Sequence, residues 1–152
     1  MRTIVLSLAL LLGLAVAPVL AVGIPVEVSA DSFTVDEQKH QAVFSGNVVI
    51  KRQGLDLTAE KVTIIYGAGG QTDIESLTAT GGVRIRTAGQ TATGDTAVFD
   101  PGAQVIKLSG NVAVTSAQGT LKGPELIVNL ANNTSTFKGS EGGRVTGVFT
   151  PQ

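Results

Sequence analysis

The chain has 152 residues, with 11 Lys and Arg against 12 Asp and Glu, a formal net charge of −1. That balance excludes the basic stripe that nucleic-acid phosphates require, and one His with no Cys supplies neither a zinc ligand set nor a disulfide framework. Charged residues make up 15% of the chain, against the ~25% of an ordinary soluble domain, while aromatics are 4% of a chain that is 43% hydrophobic, so its apolar interior is aliphatic and smooth.

At the amino terminus, Arg2 precedes an uncharged apolar run from Ile4 to Leu20 that ends in small residues at Ala21. This is the layout of a secretory signal peptide, cut after Ala21. The run falls just short of the ~20 residues that span a bilayer, and Pro18 breaks its helix just before the small-residue site. The alternative is a retained membrane anchor. Cleavage leaves residues 22–152 as a single domain with 10 basic and 12 acidic residues, long enough for a modest core.

From Val22 onward no stretch has helical periodicity. Val26-Glu27-Val28-Ser29-Ala30, Leu55-Asp56-Leu57-Thr58-Ala59 and Val83-Arg84-Ile85-Arg86 alternate apolar with polar, as strands with one dry and one wet face do. Turn signals separate them at Asp36-Glu37, Gln53-Gly54, Gly67 to Gly70, Asp100-Pro101-Gly102, Gln118-Gly119 and Asn132-Asn133. The fold class is therefore all-β, with short hairpin-linked antiparallel strands.

Two markers recur along this stretch. Ser29-Ala30-Asp31, Thr58-Ala59-Glu60, Thr93-Gly94-Asp95 and Lys122-Gly123-Pro124-Glu125 form one series, whose second residues are spaced by 29, 35 and 29. The second runs Ser45-Gly46-Asn47-Val48, Thr80-Gly81-Gly82-Val83, Ser109-Gly110-Asn111-Val112 and, more loosely, Lys138-Gly139, spaced by 35, 29 and 29. Two markers drifting together describe about four imperfect repeats stacked into a twisted, elongated roll. A glycine at a fixed place in each unit suits a corner or bulge that needs positive φ.

Candidate chemistry is sparse. His40 lies in the polar hairpin tip Glu37-Gln38-Lys39-His40-Gln41 and reads as a solvated turn residue. The glycine loop 67–70 lacks the Lys of a phosphate cradle, and no Ser sits in a nucleophile elbow. The recurrent acids Asp31, Glu60, Asp95 and Glu125 give one carboxylate per unit, too few for calcium, and read as solvated corner residues. Asn132-Asn133-Thr134-Ser135 fits the glycosylation pattern but reads as a turn. No enzymatic activity, cofactor or metal is expected. What remains is the hydrophobic face, to which strand parity assigns Val26, Val28, Phe33, Val35, Phe44, Val48, Ile50, Leu55, Leu57, Val62, Ile64, Val83, Ile85, Phe99, Ile106, Leu108, Val112, Val114, Leu121, Leu126 and Val128. A closed core and a ligand trough look alike at this level.

The motifs Val26-Glu27-Val28-Ser29-Ala30-Asp31, Val43-Phe44-Ser45-Gly46-Asn47-Val48-Val49-Ile50, Leu57-Thr58-Ala59-Glu60-Lys61-Val62, Leu108-Ser109-Gly110-Asn111-Val112, Leu121-Lys122-Gly123 and Arg144-Val145-Thr146 follow one another in an order that resembles the LptA, or OstA-like, lipopolysaccharide-transport family. The resemblance implies an open, twisted antiparallel β-jellyroll in the periplasm that binds the lipid A acyl chains of lipopolysaccharide in a trough. It further implies LptC-like inner-membrane and LptD-like outer-membrane partners, and head-to-tail self-association through edge strands. On the matching positions, acyl contacts fall on Val26 and Val28, and later on Ile85 and Phe99. The full trough set is Val26, Val28, Phe33, Phe44, Val48, Ile50, Leu57, Val62, Ile64, Ile85, Phe99, Leu108 and Val112. Two alternatives stand beside it. One is an LptC-type component that keeps its amino-terminal helix in the inner membrane, from which a mature chain beginning near Val22 would distinguish it. The other is an envelope structural or assembly protein with a sealed core.

Overall fold

The computed structural model describes residues 26–70, 72–139 and 143–151, and all regular structure among them is β-strand. The expected signal peptide, residues 1–21, lies outside the described residues. Ten strands follow in order: β1 (Val26–Ser29), β2 (Ser32–Asp36), β3 (Gln41–Arg52), β4 (Leu55–Tyr66), β5 (Ile74–Arg86), β6 (Gln90–Asp100), β7 (Val105–Ser116), β8 (Gly119–Asn129), β9 (Thr134–Lys138) and β10 (Thr146–Phe149). The chain runs as an antiparallel meander from β3 to β8. The short strands pair with its two flanks: β1 with the second half of β3 and β2 with the first, β9 with the second half of β8 and β10 with the first.

The six turns read from sequence all fall at strand junctions, with Asp36, Asp100 and Gly119 as the end residues of β2, β6 and β8. The tip at Asn132-Asn133 is built as expected, with the Asn132 side chain accepting from the Thr134 backbone amide at 3.2 Å and hydroxyl at 2.6 Å, and Asn133 at φ 55°. An Asn side chain bonded two residues on, followed by an Asn at positive φ, is an ordinary turn device.

The Gly-Asn marker is different from the turn it resembles. The strands from β3 to β8 are long, and each passes through the marker row without stopping. Ser45 pairs with Lys61 and Val48 with Ala59, so Gly46 and Asn47 face the single residue Glu60. In the same way Gly81 and Gly82 face Asp95, and Gly110 and Asn111 face Pro124. Both residues of each pair have positive φ: 82° and 46°, 82° and 59°, 77° and 50°. Two left-handed residues against one are a β-bulge, which bends a strand while the ladder continues on either side. Pro124, which has no N–H to donate, occupies a place where the ladder is already interrupted.

The recurrent acids hold these bulges. The Asp31 amide donates to the Gly46 carbonyl at 2.8 Å, and the Asn47 side-chain amide donates to the Asp31 carboxylate at 3.1 Å. Asn111 donates to Asp95 in the same way at 3.0 Å. Asp31, Glu60 and Asp95 are exposed, as expected of corner residues, whereas Glu125 is half-buried and paired with Lys107 at 3.5 Å; Asp31 and Asp95 each have a fixed partner on the neighbouring strand.

Because every long strand bends at the same row, the sheet folds into two halves. One contains β1, β10 and the strand segments 48–52, 55–59, 83–86, 90–94, 112–116 and 119–123. The other contains β2, β9 and the segments 41–45, 61–66, 74–80, 96–100, 105–109 and 125–129. Both halves contribute to one apolar cluster, with Val48, Val83 and Val112 from the first and Val62, Leu108 and Leu126 from the second. Neither β1 with β10 nor β2 with β9 is paired, so the sheet does not close into a barrel.

One tip of the second half is capped. Tyr66, the sole tyrosine, donates its hydroxyl to Glu37 at 3.1 Å, and its ring stacks on His40 with centroids 5.6 Å apart. His40 is thus the stacking partner of a buried ring as well as a turn residue. Burial first, then the hydrogen bond to Glu37 and that carboxylate's charge, raise the phenol above its ordinary value. The folded state therefore favours the protonated phenol. The stability this contributes is complete below the ordinary tyrosine pKa and disappears as pH rises through the raised one. A spectrophotometric titration of the native chain should show phenolate appearing above the range of the urea-unfolded chain. An unshifted curve would mean that the Tyr66–Glu37 contact is absent in solution.

Candidate ligand-binding face

The thirteen residues assigned to the trough all lie on one face, the inner one. Register fixes this, since directly opposed residues in an antiparallel pair share a face. Val26 and Val28 oppose Arg52 and Ile50, Phe33 opposes Phe44, which opposes Val62, and Ile50 opposes Leu57, which opposes Ile85. On the far side Phe99 opposes Ile106 and Leu108 opposes Leu126, while Val112 opposes Gly123. Ile64 continues the parity of Val62 along β4. No polar or charged side chain is buried on this face among the described residues.

Packing on the face is graded. Beside the bend, Val48 and Val62 are 0% exposed and Val83, Leu108 and Val112 are 1% exposed. Two residues further along the strands, Ile50 and Ile85 reach 8%, and Ile64, Ile106, Val114 and Val128 are half-buried. The interior is therefore filled at the bend and loosens toward the strand tips, where no strand crosses from one half to the other. Tyr66 and Ala42, both buried, are the exceptions, at the tip capped by His40 and Glu37.

The two ends of the roll are also exposed. At one end Val26, Val28 and Phe33 show 53%, 37% and 54% of their surface, with Phe33 and Phe44 stacked at 4.5 Å. At the other, Phe149 of β10 faces inward opposite Gly119 and is 63% exposed. Apolar side chains at an open edge strand are an unusual exposure for a soluble protein.

Sequence parity missed part of the floor. Ala42, Ala59, Ala79 and Ala97 are buried in the core, and Leu77, Ala92 and Phe137 pack against it. The signal was present for Ala42, Ala59 and Ala97, each two residues from an assigned neighbour, Phe44, Leu57 and Phe99, whereas the half-strands of Leu77, Ala79, Ala92 and Phe137 held no assigned residue. Alanine carries too little apolar surface to mark a face, and in Thr96-Ala97-Val98 the larger Val98 points outward, 37% exposed.

The side chains buried on this face are apolar, and no group of three His, Cys, Asp or Glu able to hold a metal exists among the described residues. Its chemistry is the burial of hydrocarbon. The profile of a family described as "LptA/(LptD N-terminal domain) LPS transport protein" matches residues 27–134, which run from the first strand to the start of β9. The chain belongs to this family. It is thereby a protein of lipopolysaccharide transport, and the expected resemblance is correct. An uncharacterized protein of Rhizobium meliloti (strain 1021) is 26% identical over 135 residues, covering 84% of this chain and 72% of that protein. The crystal structure of LptH, described as the LptA homologous periplasmic component of the conserved lipopolysaccharide transport device of Pseudomonas aeruginosa, matches with a TM-score of 0.72 at 21% identity. That match covers 84% of this chain and 96% of LptH. The expected all-β open jellyroll is the fold the two share.

Proposed function

We propose that this protein is a periplasmic carrier that holds the lipid A acyl chains of lipopolysaccharide against its inner face and passes them along the roll between the inner and outer membranes. The observation that carries the reading is the packing gradient: the interior is filled beside the bend, and its aliphatic side chains become accessible toward the tips and at both ends. A hydrocarbon chain laid on that accessible strip gains ~25 cal/mol per Å2 covered, several kcal/mol per chain. Walls of Val, Ile, Leu and Ala present no polar stopping point to sliding. The accessible members of the trough set, Val26, Val28 and Phe33 foremost, supply the contacts, and the filled row at Val48, Val83 and Val112 forms the floor beneath the passage. The signal-like segment ending at Ala21 and the family support the periplasmic location, and the family supports the non-enzymatic role.

The exposed edges fit assembly. β1 and β2 at one end and β9 and β10 at the other each have a free flank, and strand addition there would align one inner face with the next. A contact between unlike ends propagates, either to further copies or to LptC-like and LptD-like partners. A passive trough only equilibrates its contents, so net movement belongs to an energy-consuming partner.

A photoreactive residue at Val28 should crosslink to lipopolysaccharide, whereas the same residue at Val98, on the outer face of β6 in the second half, should not. Failure to label from Val28 in a folded, lipopolysaccharide-exposed protein would favour the sealed-core alternative and end the carrier reading.

A further inference from the structure

The two lips of the open side differ in charge. On the outer face of the first half, Lys51 of β3 opposes Asp56 of β4, which opposes Arg86 at the end of β5. Arg84 stands one pair nearer the bend, opposite Thr58. These residues and Val49 line a surface depression of about 320 Å3, and Arg52 continues the cationic row at the rim of the inner face. The lip of the second half carries Asp36, Glu37, Asp73, Glu75 and Asp100 at its tips, with Lys39 paired to Asp36 among them.

A row of alternating charges across neighbouring strands can serve the sheet alone, as cross-strand ion pairs. Here those pairs are not formed. Among the described residues the ion pairs within 4 Å are Lys39–Asp36 and Lys107–Glu125, so Lys51, Arg84 and Arg86 have no carboxylate at bonding distance. Three cations and one carboxylate line the concavity, and Glu27 of β1 opposes Lys51 at its outer flank, so one net positive charge remains, on the side of Arg84 and Arg86. Guanidinium forks match the oxygens of a phosphate, where a lysine adds a point charge. Through the sheet from this depression lie Ile50, Leu57 and Ile85, inner-face residues of the trough set.

We propose that the Lys51–Arg84–Arg86 depression binds a phosphate ester on the sugar headgroup of the carried lipid. The inference rests on the carrier reading and extends it. With its acyl chains inside the mouth and its phosphate over the basic lip, the lipid is repelled by the acidic lip opposite, and so takes one orientation across the opening.

The test is a set of binding titrations of the full chain with lipid A bearing its phosphates, with the same lipid dephosphorylated, and with inorganic phosphate at fixed ionic strength. The triple variant Lys51→Gln, Arg84→Gln, Arg86→Gln should lose about tenfold in affinity for the phosphorylated lipid and nothing for the dephosphorylated one. The second lipid thus also reports that the variant is folded. Equal affinity of wild type and variant for the phosphorylated lipid, or equal loss for both lipids, overturns the headgroup site while leaving the carrier reading in place. Wild type that binds neither lipid removes the carrier reading and this inference with it. Inorganic phosphate that binds as tightly as the phosphorylated lipid would identify a free-anion site and overturn the assignment to the headgroup.

Discussion

Leu108→Ala should lower the unfolding free energy by about 2–5 kcal/mol, the range for a buried Leu→Ala change whose surroundings relax only partly. Leu108 is 1% exposed on β7, between Ala97 of β6 and Leu126 of β8. Its side chain also covers Gly94: a Cβ at that glycine would lie 3.6 Å from the Leu108 side chain. One large residue thus fills the space that two small ones leave, and nothing nearby can replace it. Urea unfolding at constant slope measures the loss. A change below about 1 kcal/mol would mean that the bend is already loose, and the division into filled floor and accessible mouth would fail.

Gly110→Val should be comparably damaging, at about 3 kcal/mol, for a different reason. Gly110 has φ 77°, a conformation in which a β-branched residue is a true outlier. A Cβ there would also strike the Asp95 carboxylate, with the Asp95 Cβ and Cγ each 2.9 Å away. The milder pair Gly110→Ala and Asp95→Ala separates the two causes. Asp95→Ala alone loses the exposed bond from Asn111, about 1 kcal/mol. In the double variant the collision with the carboxylate is gone, so the combined destabilisation should be smaller than the sum of the two single losses. Strict additivity would show that backbone strain alone accounts for the glycine.

These two positions bear on assembly as well as stability. The bulge row sets the angle between the halves, and the floor residues keep them apart. A variant that relaxes either changes the width of the mouth before it changes any side chain a lipid touches.

The alternation of Val26-Glu27-Val28 or Val83-Arg84-Ile85-Arg86 is a local property, because successive side chains on a strand point to opposite faces. Alternation assigned the inner face, local turn residues marked Gln53-Gly54 and Asn132-Asn133, and short motifs in order carried the family. The drifting Ser-Gly-Asn marker gave the repeat. The turn at 87–89, closed by the Thr87 amide on the Gln90 carbonyl at 2.9 Å, escaped notice because Gly89 was its only signal.

Tertiary structure decided the rest. A Gly-Asn pair reads the same whether it reverses a chain or bulges a strand, and only the partner strand, setting Glu60 against Gly46-Asn47, makes it a bend. The pairing of Asp31 with Asn47, sixteen residues away, is likewise invisible until β1 and β2 flank β3. Whether an inward valine is floor or passage depends on its distance from that bend. Sequence distinguishes the two faces of a strand because the period of side-chain direction is local, but the depth of a residue within a folded sheet is set by strands that are far apart in the chain.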